Sequence, residues 1–158
     1  MHIQWFPGHM TKAIRMMEEN LRLVDSLIYV IDARAVYSCA NPLLDKLIVG
    51  KNVLYVFNKC DLVEKQDLDK WITLYEKMGK PCVKVVGTSG DCTAIVKKLK
   101  EINAYKLQRF AEKGAKVSVR AMVVGVPNSG KSTIINSMVG KAKAPRQRLW
   151  AGSFPGIR

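Results

Sequence analysis

The chain has 158 residues, 48% hydrophobic and 25% charged, a composition that fits one globular domain and excludes a largely disordered chain. With 26 Lys and Arg against 13 Asp and Glu it carries a formal +13. That charge fits either a polyanionic partner bound in a salt-dependent way or a basic enzyme whose charge serves solubility and a phosphate ligand. Cys39, Cys60, Cys82 and Cys92 form no C-x-x-C pair and share no ligand spacing with His2 or His9, so they read as thiols of a reducing compartment. There is no basic segment leading into an apolar one at the N-terminus and no apolar run of membrane-spanning length, so the expected location is the cytoplasm, with no membrane partner.

In chain order, Met10, Ile14, Met17, Leu21 and Val24 recur at helical spacing and predict an amphipathic helix after a Pro7-Gly8 turn. Leu27-Ile28-Tyr29-Val30-Ile31 is a short, continuous apolar run, the signature of a strand buried on both faces. The same signature returns at residues 53–57, 82–86 and 121–124, with helical stretches predicted at 42–49, 66–78 and 93–112. Strands alternating with helices imply parallel β-α-β units in an open α/β sheet. Residues 97–116 are dense in Lys and Arg, which leaves open a long helix with a solvated basic face or a dedicated RNA surface. Residues 141–158 lose all periodicity and contain Pro145, Gly152, Pro155 and Gly156, which predicts a mobile loop.

Two motifs carry chemistry. Gly125-x-x-x-x-Gly130-Lys131-Ser132 follows the fourth apolar run and precedes a helical stretch, where a phosphate loop must sit. Its glycines let consecutive N–H groups and the helix N-terminus face phosphate oxygens; Lys131 would reach the β- and γ-phosphates, and Ser132 would ligate Mg²⁺. Asn58-Lys59-x-Asp61 closes the second apolar run. An Asp carboxylate can accept from the guanine ring N–H and its exocyclic amine, a donor pair that adenine lacks. Asn58 would brace the loops and Lys59 would lie along the ring. Both motifs fall at strand C-terminal ends, the rim where open α/β sheets bind ligands. Thr88-Ser89-Gly90 fits a third nucleotide loop and equally a plain β-to-α turn. The base-reading motif precedes the phosphate loop, the reverse of the ordinary GTPase order, which implies circular permutation.

With these motifs in this order, together with Trp5-Phe6-Pro7-Gly8-His9-Met10, Asp32-Ala33-Arg34, Asn41-Pro42 and Pro155-Gly156, the chain resembles the circularly permuted GTPases of the YlqF type over nearly all its length. The resemblance implies a three-layer phosphate-loop GTPase fold with a mostly parallel sheet. Its expected parts are an N-terminal segment and helix (1–25), a guanine-recognition half (26–113), a phosphate-loop half (114–140) and a switch loop (141–158). It further implies GTP/GDP, Mg²⁺ and K⁺ as ligands, with nucleotide contacts from Asn58, Lys59, Asp61, Thr88, Ser89, Gly90, Pro127, Asn128, Ser129, Gly130, Lys131, Ser132, Thr133 and Gly156. Asn128 would help hold K⁺. His9 matches a histidine implicated in hydrolysis in the family; read alone, it is a residue at a helix start. The implied role is a monomeric factor for late assembly of the bacterial large ribosomal subunit, acting on its rRNA and not on DNA.

The family continues past Pro-Gly with a Mg²⁺-ligating threonine where this chain has Arg158, and then with a D-x-x-G element and a C-terminal helical domain. The expected fold is therefore truncated after the phosphate-loop helix, with residues 121–124 left as an exposed apolar edge. A binding module without turnover is the alternative to a GTP hydrolase.

Overall fold

The computed structural model describes residues 7–40, 42–115, 119–126, 129–141 and 149–151. Its elements run α1 (Pro7–Leu21), β1 (Ser26–Asp32), α2 (Val36–Cys39), α3 (Pro42–Leu47), β2 (Asn52–Asn58), α4 (Lys65–Lys77) and β3 (Cys82–Lys84). Then come α5 (Thr93–Ile102), α6 (Ala104–Glu112), β4 (Ala121–Val124), α7 (Lys131–Lys141) and β5 (Leu149–Ala151). The strands form one sheet in the order β3-β2-β1-β4-β5, and every pairing is parallel.

β1 and β4 are buried along their whole length because each is apolar on both faces. On one face Leu27, Tyr29, Ile31, Tyr55, Phe57 and Met122 pack with Met17 and Leu21 of α1, Leu44 of α3 and Leu68 of α4. On the other, Ile28, Val30, Leu54, Val56 and Val123 pack with Ile95 and Leu99 of α5 and with Ile134 and Met138 of α7. The result is the three-layer α/β arrangement expected, each buried Leu or Ile contributing about 1.5–3 kcal/mol.

Four details depart from the sequence reading. Pro7 and Gly8 lie inside α1 and do not form a turn before it; proline fits a helix's first position because its missing N–H would have had no partner there. The predicted third strand stops at Lys84, not at residue 86. The single helix expected over 93–112 breaks at Asn103, which is 3% exposed. Its Nδ2 donates to Leu99 O at 2.8 Å and to Ser26 Oγ at 2.7 Å, so a buried amide turned toward the start of β1 ends α5. Finally, β4 is not an open edge. β5 pairs with it, setting Ala121 against Leu149 and Val123 against Ala151, within the segment read as a loop. Three residues are too few to show a period in sequence, yet they satisfy an edge that would otherwise present unpaired N–H and C=O groups. The rest of the expected switch loop lies outside the described residues.

Candidate functional site

Because the sheet is parallel, the loops leaving β1, β2, β3 and β4 open at one edge, and Asp32 and Asn58 stand opposite each other there as the last residues of their strands. Asn58 is 2% exposed. Its Oδ1 accepts from the N–H of Lys59 and from the N–H of Gly87, both at 2.9 Å, while its Nδ2 donates to Ser129 O at 3.1 Å. One side chain therefore ties the base-reading turn, the loop after β3 and the phosphate loop together. The fit depends on glycine: a Cβ on Gly130, at φ +96°, would lie 2.1 Å from Asn58 Nδ2, and one on Gly87 would lie 3.0 Å from Oδ1.

Lys59 sits in the left-handed region at φ 61°, a conformation that costs a non-glycine residue about 1–3 kcal/mol. The Asn58 bond holds its backbone, and Asp32 holds its side chain, with Nζ 3.1 Å from Oδ2. Asp32 also accepts from Arg34, through its N–H at 2.9 Å, Nε at 3.1 Å and Nη2 at 2.9 Å. Those guanidinium bonds, followed by the Arg34 N–H and Lys59, outweigh burial and hold the Asp32 carboxyl at about 2. The folded value lies below the ordinary 3.8, so the stabilisation is complete above about pH 4 and is lost as pH falls through 2. We expect urea denaturation to show Asp32→Asn costing about 2 kcal/mol at pH 6, with the gap to the parent chain closing toward pH 2; a gap independent of pH would mean that charge is not what Asp32 contributes.

Asp61 lies in the 3₁₀ turn Cys60–Leu62 with its side chain exposed at this rim. Thr88 and Ser89 belong to the 3₁₀ turn Gly87–Ser89, which closes at Gly90, φ +72°. Ser137 Oγ of α7 donates to Gly87 O at 3.0 Å, so the helix that follows the phosphate loop grips this third loop as well.

The phosphate loop leaves β4 at Gly125, where a Cβ would lie 2.7 Å from Val30 O. Ser129 is 1% exposed, with its Oγ donating to Val126 O at 2.9 Å. α7 then starts at Lys131, whose Nζ curls back to donate to Gly125 O at 2.9 Å; burial pushes its pKa down. The Ser132 side chain is exposed beside it and Thr133 is half-buried. The structure thus brings Asn58, Lys59, Asp61, Thr88, Ser89, Gly90, Ser129, Gly130, Lys131, Ser132 and Thr133 to one rim. Pro127, Asn128 and Gly156 lie outside the described residues, and so does the side chain of His9, whose backbone is in α1.

In sequence Asp32 shows no role of its own, and neither Gly87 nor Ser137 stands out. The signal for Asp32 was positional, since an acid closing the apolar run Leu27-Ile28-Tyr29-Val30-Ile31 marks a strand end at the ligand rim. A groove of about 610 Å³ nearby is lined by Arg34, Leu68, Trp71 and neighbours, and by no residue of the base-reading turn or the phosphate loop. The converging loops, and not this groove, mark the site.

A family model described as a 50S ribosome-binding GTPase matches residues 120–150, from the start of β4 into β5. The ribosome biogenesis GTPase A of Priestia megaterium is 38% identical over 160 residues, which cover 99% of this chain and 54% of that protein. The chain is similar to the YlqF-type GTPases along nearly its whole length. Two solved YlqF structures agree. The one titled as the GNP-bound protein from T. maritima has a TM-score of 0.64 at 25% identity, covering 92% of this chain and 60% of its own; a GDP-bound one has a TM-score of 0.59 at 29% identity, covering 80% and 48%. The chain spans about half the length of the curated YlqF-type relatives it matches, 54% and 52% for the first two.

Proposed function

We propose that this chain binds GTP and GDP as the nucleotide-handling part of a cytoplasmic ribosome-assembly GTPase acting on the large subunit and its rRNA. The observation that carries the reading is the Asn58 clamp, which brings a base-reading turn and a phosphate loop to one rim although they lie 71 residues apart in sequence. Asp61 would accept from the guanine ring N–H and exocyclic amine, and Lys59, steadied by Asp32, would lie along the ring. The N–H groups at the start of α7 and the Lys131 ammonium would face the phosphates. Ser132 fits Mg²⁺, since it offers an exposed hydroxyl at the helix's second residue. The bound ion would neutralise charge on the β- and γ-phosphate oxygens. Asn128 would hold K⁺, and His9 would act in hydrolysis.

Relatives named ribosome biogenesis GTPase A and mitochondrial ribosome-associated GTPase 1 support the ribosomal part of the proposal. The test is titration with fluorescent GDP. Excess GTP should displace the probe and excess ATP should not. Asp61→Asn should weaken binding by about two to four decades, because an amide cannot accept from both donors. Equal competition by ATP, or unchanged affinity in Asp61→Asn, would remove Asp61 as the base reader.

A further inference from the structure

α6 is nine residues long and buries none of them. Tyr105 is 75% exposed and Phe110 37%, although aromatic rings of this size ordinarily supply core or interface area. At 3.6 residues per turn, Tyr105, Arg109, Lys113, Lys106 and Phe110 fall within one arc of roughly 140°. Cations lie against both rings: Arg109 stands 5.7 Å from the Tyr105 centroid and Lys106 Nζ stands 5.9 Å from that of Phe110. The helix's one carboxylate, Glu112, accepts from Gln108 at 3.5 Å, and among the described residues neither Arg109 nor Lys113 enters an ion pair. Lys106 is paired with Asp25, which fixes α6 against the chain just before β1.

A helix face of exposed rings interleaved with unneutralised cations suits a partner that carries both negative charge and flat π-surfaces. We propose that this face of α6 is a binding surface for single-stranded RNA, its bases stacking on Tyr105 and Phe110 and its phosphates meeting Arg109 and Lys113. The placement rests on the ribosome-association reading above and supplies the surface that reading lacks. Position makes it compatible with nucleotide binding. Asn103, at the start of α6, bonds Ser26 at the N-terminal end of β1, whereas the nucleotide rim lies at the strands' C-terminal ends. RNA and nucleotide would occupy opposite edges of one sheet. Double-stranded RNA fits less well, because its bases are stacked inside the helix and cannot reach the rings.

The experiment is fluorescence anisotropy with a labelled 16-nucleotide single-stranded RNA of mixed sequence and a duplex of equal length, from 50 to 200 mM KCl, alongside a fluorescent GDP titration. Tyr105→Ala should lose about 5- to 100-fold in single-strand affinity with its salt slope unchanged, and Tyr105→Phe should retain affinity. Arg109→Gln with Lys113→Gln should flatten the log–log salt slope by about 1.4. All three variants should bind GDP as the parent does. Equal affinity for duplex and single strand together with a silent Tyr105→Ala would overturn the proposal, as would binding to anionic vesicles or protein but not to RNA. A parent chain that binds GDP and no RNA would overturn this surface and leave the nucleotide reading standing. Failure to bind either would overturn both.

Discussion

Replacing Asn58 by alanine should destabilise the protein by about 3–5 kcal/mol and abolish saturable guanine-nucleotide binding. The amide makes three bonds inside a site where it is 2% exposed: two accepted from the N–H groups of Lys59 and Gly87, and one donated to Ser129 O. Truncation leaves those three backbone groups without this partner, each costing roughly 1–3 kcal/mol, and opens a gap between Gly87 and Gly130. Against a typical total stability of about 5–15 kcal/mol this is a large fraction, so the denaturation midpoint should fall clearly. Binding suffers separately, because the same side chain fixes the base-reading turn relative to the phosphate loop. Asn58→Asp tells the two effects apart. It keeps an oxygen for the two N–H donors but sets a carboxylate against Ser129 O, so it should recover part of the stability and little of the affinity. Near-parental GDP affinity in Asn58→Ala would show that the loops are placed without the clamp.

The clamp also shows what sequence can and cannot reveal. Asn58, Lys59 and Asp61 were legible because three residue types at fixed spacing closed an apolar run, and Gly130-Lys131-Ser132 because a loop and a helix followed another. β1 and β4 were legible because continuous apolar residues have few uses other than a doubly buried strand. What escaped was long-range pairing of polar groups. Asp32 holding Lys59 spans 27 residues, and Ser137 gripping Gly87 spans 50; such bonds leave no periodic trace. Asn103 escaped for the same reason: its partner Ser26 lies 77 residues away, so a basic amphipathic stretch read as one helix is in fact two. β5 was hidden by its length alone, since a three-residue strand is defined by the edge it covers and not by its own pattern.

Lys131→Met should separate binding from folding in the opposite way to Asn58→Ala. The ammonium donates to Gly125 O at 2.9 Å inside the phosphate loop, and burial lowers its pKa, so the charged form is held there at a desolvation cost to the nucleotide-free protein. Methionine keeps most of the aliphatic stem and removes both the cost and the bond to Gly125 O. Those changes have opposite signs and partly offset, so the nucleotide-free melting temperature should stay within about 3 °C of the parent. GDP affinity should nevertheless fall by about two decades or more, because a charge-assisted bond to phosphate has no substitute on a thioether. Scanning calorimetry with and without nucleotide reads both effects at once. At a GDP concentration about 100 times its Kd, the parent gains about 2.7 kcal/mol by mass action, while the variant at the same concentration should gain at most a few tenths. A large drop in the melting temperature without nucleotide, with the GDP-induced rise preserved, would instead place Lys131 in the scaffold of the loop. Phosphate recognition would then rest on the backbone N–H groups at the start of α7.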